Sequence, residues 1–317
     1  MSIQSNNQGR AYEYACINTL NVEINKFRKS QIFENSAYIA DKNAWNLIDN
    51  NLQNILIKSS QAVVETIFDL EPMILENNSD ILTLKIQIDS EGKEGDVRDI
   101  VILRPDIEWE IGLSIKHNHF AVKHSRLAKG LNFGKKWFGI DCSNEYWNEI
   151  KPIFEYLQEQ KNNNKNWRDL NSKEDNVYVP LLNAFMNEIK RSSEINPSVP
   201  QRMVEYLLGE FDFYKVISVD SKKLTKIQSY NLHGTLNKLT KTKQAIIKIP
   251  IVNLPTRIVD LLFKPNSKNT IEMYMDNGWQ FSFRIHNAST KVETSLKFDI
   301  QIVGMPTTII SVDCLWK

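Results

Sequence analysis

The chain has 317 residues, 42% hydrophobic and 24% charged, with 39 Lys and Arg against 38 Asp and Glu. This length is enough for one large domain or two ordinary ones, and the composition excludes a disordered or fibrous chain. The polar start from Met1 to Asn7, and the lack of any run of roughly 20 apolar residues, argue against a signal peptide or a membrane span and predict a cytoplasmic protein. Cys16, Cys142 and Cys314 lie far apart without metal-ligand spacing, so they are expected to be reduced structural thiols.

A helix is predicted over Gln8–Lys29, where Gly9, Glu13, Cys16, Ile17, Leu20 and Ile24 recur at offsets of three and four. Asn43–Lys58 and Ser60–Leu70 read as two more helices, the second stopped near Pro72. Leu82–Ile88 alternates as a half-buried strand, and Ser90–Gly95 is a polar turn. Val97–Leu103 and Trp109–Lys116 then complete a three-stranded antiparallel meander, joined through Arg104–Glu108. His119–Lys129 has the spacing of a helix with basic residues outward.

Glu145–Leu208 is helical text, interrupted by loop compositions at 161–166 and 196–200, and reads as an insertion over about 145–209. Phe213–Val219 returns to strand and rejoins the first sheet. From about 224 the chain becomes mostly β: Gln244–Val252, a hairpin over Ile271–His286 around Asp276-Asn277-Gly278, Leu296–Val303 and Thr308–Leu315. The expected fold is thus α+β (α/β), a mixed sheet flanked by helices. Its expected domains are a core over 1–223 and a β-rich region over 224–317.

Charge is segregated along the chain. Ile111–Ile140 contains no carboxylate but carries Lys116, Lys123, Arg126, Lys129, Lys135 and Lys136. Ser221–Val259 is also free of Asp and Glu and holds Lys222, Lys223, Lys226, Lys238, Lys241, Lys243, Lys248 and Arg257. Two such windows offer a polyanion a basic face while the net charge stays at +1. Nucleic acid is therefore the expected partner.

Hydrolysis of a phosphodiester needs divalent ions held by carboxylates, and a Lys or water network beside them. The PD-(D/E)XK nuclease pattern supplies an Asp early in one strand and a D/E-x-K triplet on its neighbour. Here Asp99 is followed by Ser114-Ile115-Lys116, with a neutral hydroxyl where the pattern has a carboxylate. Another acid should supply the missing charge. Glu110 shares a strand face with Ser114 but lies roughly 13 Å away along it, at about 3.3 Å per residue. Glu13 is the first candidate, because a carboxylate at the head of an apolar stripe is costly to bury without a cation; its alternative is a helix-edge Glu reaching solvent. Asp96 follows, three residues before Asp99, and Glu65 is held in reserve. Pro105-Asp106 spells the literal letters of the pattern, but no Lys follows Glu108 or Glu110 at the required spacing, and the pair reads as turn chemistry. His117 and His119 are assigned to phosphate contact or packing, since an oxygen-ligand site does not need them.

At Gly95-Asp96-Val97-Arg98-Asp99-Ile100-Val101-Ile102, Trp109–Lys116 and His117–Arg126, the sequence resembles the HaeIII family of type II restriction endonucleases. The likeness extends over the whole chain, including Asn7-Gln8-Gly9-Arg10-Ala11-Tyr12-Glu13-Tyr14. The resemblance implies a bacterial enzyme that recognises GGCC in double-stranded DNA and cuts it bluntly. It also implies Mg²⁺ as cofactor and a DNA methyltransferase as functional partner without direct contact. A palindrome cut on both strands suggests a homodimer, at least on DNA. Lys123, Arg126, Lys129, Lys222, Lys223 and Lys226 are expected to meet the DNA, and Arg257, Arg284, His286 and Asn287, with Asn253 behind them, are the candidates for reading G·C pairs. The alternative is a DNA-binding protein without catalysis.

Overall fold

The i, i+4 row Tyr12, Cys16, Leu20 and Ile24, with Ala11, Ala15 and Ile17 beside it, is buried along one face of a helix. In the computed structural model, which describes residues 3–76, 79–88, 95–240 and 245–317, this helix is α1 (Ile3–Ile24). A short strand that the sequence did not reveal, β1 (Ser30–Phe33), follows it. Two helices come next, α2 (Ser36–Leu47) and α3 (Asn50–Leu70). The break falls at Ile48–Asp49 rather than at Ser59, because the Asp49 carboxylate caps α3 by accepting from the Leu52 N–H. Ser59 and Ser60 do not interrupt α3, since their hydroxyls are satisfied. Ser59 bonds Tyr12 Oη at 2.7 Å and Thr225 Oγ1 at 2.6 Å, while Ser60 donates back to Ile57 O.

The expected meander is present as β2 (Leu82–Ile86), β3 (Ile100–Arg104) and β4 (Trp109–His117), antiparallel throughout. Of the turn at Ser90–Gly95, only Gly95 is among the described residues. Residues 119–129 are a correction: they form not a helix but two short strands, β5 (Ala121–Lys123) and β6 (Arg126–Ala128). Their backbone groups bond a strand far along the chain, and that pairing overrides local spacing.

Helices α4 (Phe133–Phe138), α5 (Asn144–Asn162), α6 (Val179–Ile195) and α7 (Val199–Leu208) make up the helical stretch. After β7 (Phe213–Val219) and β8 (Leu224–Tyr230), the described part of Gln244–Val252 is irregular rather than a strand. There the Asn231 and Asn237 side chains bond the backbone at Ile247, Ile249 and Pro250, taking up groups that a strand would pair. Lys241, Lys243 and Gln244 lie outside the described residues. The chain continues as β9 (Ile258–Phe263), β10 (Thr270–Met275), β11 (Gln280–His286), β12 (Ser295–Gly304) and β13 (Ser311–Leu315), with β10 and β11 forming the expected hairpin around Asp276–Gly278.

Two compact units emerge, each assembled from separate stretches of chain. Unit 1 comprises Met1–Phe120, Gly209–Val252 and Thr307–Lys317. Its seven-stranded mixed sheet has the order β1-β2-β3-β4-β7-β8-β13, with β1–β2 and β4–β7 parallel. Residues 223 and 224, where the domain boundary was expected, fall between two hydrogen-bonded neighbours of this sheet. Leu56, Val63 and Ile67 of α3 and the buried row of α1 share one core with Leu84, Ile102, Leu113 and Val216 of the sheet. Full burial of each such side chain contributes about 1.5–3 kcal/mol.

Within this unit, Asp80 forms a buried ion pair with Arg104 at 2.8 Å and another with Arg28 at 2.9 Å. Gly112 lies beneath the Arg98 side chain, where an added Cβ would come within 1.9 Å of Arg98 Cδ. Only glycine accommodates that approach.

Unit 2 comprises Ala121–Leu208 and Asn253–Pro306. Its sheet runs β5-β12-β11-β10-β9, with β6 also pairing β12. An aromatic core of Phe133, Trp137, Phe185, Phe283 and Phe298 binds the helices of this unit to the sheet. All three cysteines are buried, free thiols.

Candidate active site

β4 runs to His117, beyond Leu113 and its partner Ile100, which is the last residue pair it shares with β3. Asp99, just before β3, donates its own N–H to Leu113 O at 2.8 Å and turns its carboxylate to the continuing part of β4. Oδ2 accepts from Ile115 N at 2.6 Å, Lys116 Nζ at 2.8 Å and Ser114 Oγ at 3.3 Å. All three bonds fall on Oδ2, so Oδ1 is the oxygen left to meet a cation.

Burial pulls the Lys116 pKa down, but the charge and hydrogen bond of Asp99 outweigh it, with Glu13 adding, so the net shift is upward and Lys116 stays an ammonium. Ser114 is buried and acts as a donor to Asp99, which fixes the carboxylate without adding charge.

α1 brings Glu13 to the same place. Its pKa is raised well above the ordinary carboxylate value, first by burial and then by repulsion from Asp99 and Asp41, against the opposing pull of Lys116. Asp41, buried on α2, hydrogen-bonds Glu13. Asp99 and Glu13 thus flank one lysine, with Asp41 against Glu13, and this accumulation of carboxylates is one that a divalent cation with oxygen ligands would relieve.

Lys215 of β7 is a further charged group at the site, within reach of Lys116 and Asp99. It stands in register with Ser114 on the parallel neighbour strand and is 3% exposed. Its Nζ donates to Phe120 O at 2.9 Å. Burial first, then the charge of Lys116, lowers its pKa to about 7, while Asp99 opposes the shift.

Asp41 and Lys215 were missed in the sequence. Asp41 carries the same signal as Glu13, an acid on an apolar face with Tyr38 and Ala44, but it fell outside a helix drawn from Asn43. Lys215 stands alone within Phe-Tyr-Lys-Val-Ile, a cation in a buried strand.

The other acids lie elsewhere. Asp96 takes Arg98 on both oxygens, at 2.7–3.0 Å, and also accepts from Gln87 Nε2. Glu110 binds Arg98 Nη1 at 2.7 Å. Glu65 is exposed on α3. Asp106 is exposed in the turn at the far end of β3 from Asp99. His117 is held by Asp220 through a 2.8 Å contact.

A family model described as HaeIII restriction endonuclease matches residues 9–306. The chain belongs to the HaeIII restriction endonuclease family. It is also 54% identical over 318 residues to the type II restriction enzyme HaeIII of Haemophilus aegyptius, covering 100% of both chains. No solved structure matches it. Membership in this family makes the chain a restriction endonuclease, a DNA hydrolase, and sets aside the reading of a binder without catalysis. No helix among the described residues is long and apolar enough to cross a membrane.

The basic residues expected to meet DNA in this family member are divided between the units. In unit 1, Lys222 and Lys223 are exposed in the turn after β7, and Lys226 pairs with Asp313. In unit 2, Lys123 donates to Tyr206 O at 2.7 Å and lies over that ring, and Lys129 lies 3.8 Å from Glu155. Arg126, Lys297 and His286 are successive cross-strand neighbours on β6, β12 and β11. On the same face Arg284, half exposed, pairs with Asp299 at 3.1 Å. Burial and the charges of Arg284 and Lys297 hold the His286 pKa down. Burial, then Arg126, does the same for Lys297, which the sequence had not singled out. Arg257 is exposed before β9. Asn287 is committed to its own loop, donating to Lys291 O at 2.7 Å and accepting from Glu293 N at 3.1 Å.

Proposed function

We propose that this chain cleaves double-stranded DNA at GGCC, leaving blunt ends, in a reaction that requires Mg²⁺. The observation that carries the metal-dependent chemistry is the convergence of Asp99 and Glu13 on Lys116, with Asp41 against Glu13. The oxygen donor set suits a hard cation. Asp99, through Oδ1, and Glu13 are the proposed ligands, with Asp41 behind Glu13. Asp96, saturated by Arg98 and Gln87, and the exposed Glu65 are left out of this set. A divalent cation held there would supply Lewis acidity to the scissile phosphate and lower the pKa of a water. The Lys116 ammonium would orient the attacking water and balance the charge that develops on the phosphate oxygens as that water adds and gives up a proton to solvent, while the bond to the leaving oxygen breaks and that oxygen takes up a proton from solvent. Ser114 keeps Asp99 oriented throughout.

The specificity rests on the family and on the palindrome that its resemblance implies. Two-fold symmetry of the site favours a homodimer on DNA, acting in the bacterial cytoplasm, where a methyltransferase protects the host's own copies. Lys123, Arg126, Lys129, Lys222, Lys223 and Lys226 are proposed for phosphate contact, and Arg257, Arg284 and His286 for the bases; Asn287, whose amide is spent within its own loop, is left out of that set.

The deciding experiment incubates the protein with GGCC duplex, a scrambled duplex and RNA, each in Mg²⁺ and in chelator. Cleavage confined to GGCC duplex with Mg²⁺ is expected; intact GGCC duplex alongside cut RNA would end this reading. Arg284→Ala is expected to weaken GGCC binding by about 1–3 kcal/mol. Fluorescence anisotropy should find a much smaller change for unrelated duplex, because a phosphate-only contact would weaken both equally.

A further inference from the structure

Position 114 is where the nuclease pattern places a carboxylate, and Ser114 brings no charge to it. In the parallel β4–β7 register, the residue abreast of Ser114 is Lys215. Neighbours in register project to the same face of a sheet, so Lys215 lies on the face that carries Ser114 and Lys116. It is buried, and its ammonium is tied to Phe120 O at 2.9 Å. The position thus holds a hydroxyl, and a second lysine stands beside it. Asp99 thus interacts with both Lys116 and Lys215.

Sites that hold two ions about 3.5–4 Å apart clamp both with shared oxygen ligands. A site short of one acid and already holding a buried cation repels the second ion. We propose that Lys215 supplies the second positive charge of this site in place of a second metal ion, so that each chain binds a single divalent cation there. This rests on the metal-dependent reading above. Burial and Lys116 pull the Lys215 pKa down to about 7 against Asp99, so the charge it carries in the working site is the one that a bound phosphate, an added anion, would stabilise.

Isothermal titration of Ca²⁺ into the protein bound to GGCC duplex tests this. The wild-type chain should bind one ion and Asp99→Asn none. Lys215→Gln, which keeps a donor for Phe120 O but loses the charge, should tighten the first ion by at least about tenfold or admit a second. Lys215→Arg should behave as wild type, which a merely space-filling role would not predict. Two ions per wild-type chain, or a Gln variant that titrates like wild type, overturns the proposal while leaving the metal site standing. If the Gln variant fails to fold, the wild-type stoichiometry still decides. No binding to the wild-type chain would instead overturn the metal-dependent reading itself.

Discussion

Lys116→Ala lowers the rate of GGCC cleavage in Mg²⁺ by about 10²- to 10³-fold, the loss that follows removal of one preorganised donor to developing negative charge. The same variant binds the duplex in Ca²⁺ with little change, because Lys116 Nζ is engaged with Asp99 rather than placed on an outer face. Asp99→Asn should fall at least as far, since the amide keeps a carbonyl oxygen for Ile115 N but removes the charge that a cation needs. Single-turnover cleavage and anisotropy on the same samples separate rate from affinity. Unchanged cleavage by Lys116→Ala removes this lysine from the mechanism; loss of binding equal to loss of rate makes it a DNA contact instead.

Asp80→Asn destabilises the protein by about 3–5 kcal/mol, because it removes the carboxylate shared by two buried guanidinium groups and leaves Arg104 with Glu76 alone, at 3.1 Å, of its two acids. Arg104 donates to both Asp80 oxygens, at 2.8 and 2.9 Å, and its side chain is 0% exposed; that of Arg28 is 1% exposed. Hydrogen bonding from Arg104 lowers the Asp80 pKa against the opposing effect of burial. A depressed folded-state pKa contributes stability that is present above the unfolded value of about 3.9 and is lost as pH falls through the folded one. Wild-type stability should therefore drop on acidification below about pH 4, and Asp80→Asn should lack this component. Urea denaturation across pH measures both. A variant within about 1 kcal/mol of wild type would show that Arg104 and Arg28 are adequately held by their other acceptors.

The meander was legible because its signals are local. β2, β3 and β4 follow one another through short connections, so alternation and spacing were enough to put Asp99 and Lys116 on paired strands. Glu13 was legible for a related reason: an acid on an apolar helical stripe declares itself within two turns. What stayed hidden depends on partners distant in sequence. Lys215 acquires its meaning only from a parallel register with Ser114, which is about a hundred residues earlier. β5 and β6 exist because β12 pairs with them across more than 160 residues, so their local helical spacing misled. Lys297 likewise joins Arg126 and His286 only once three strands are aligned.

The chain passes between the units four times, near residues 120, 208, 252 and 306. This interlacing bears on how the protein is made. β8 meets β13 only after residues 311–315 have left the ribosome, by which time every stretch of unit 2 has already been synthesised. The sheet that carries Asp99 and Lys116 therefore stays unfinished until almost all of the chain exists, and neither unit can be expressed as one uninterrupted fragment.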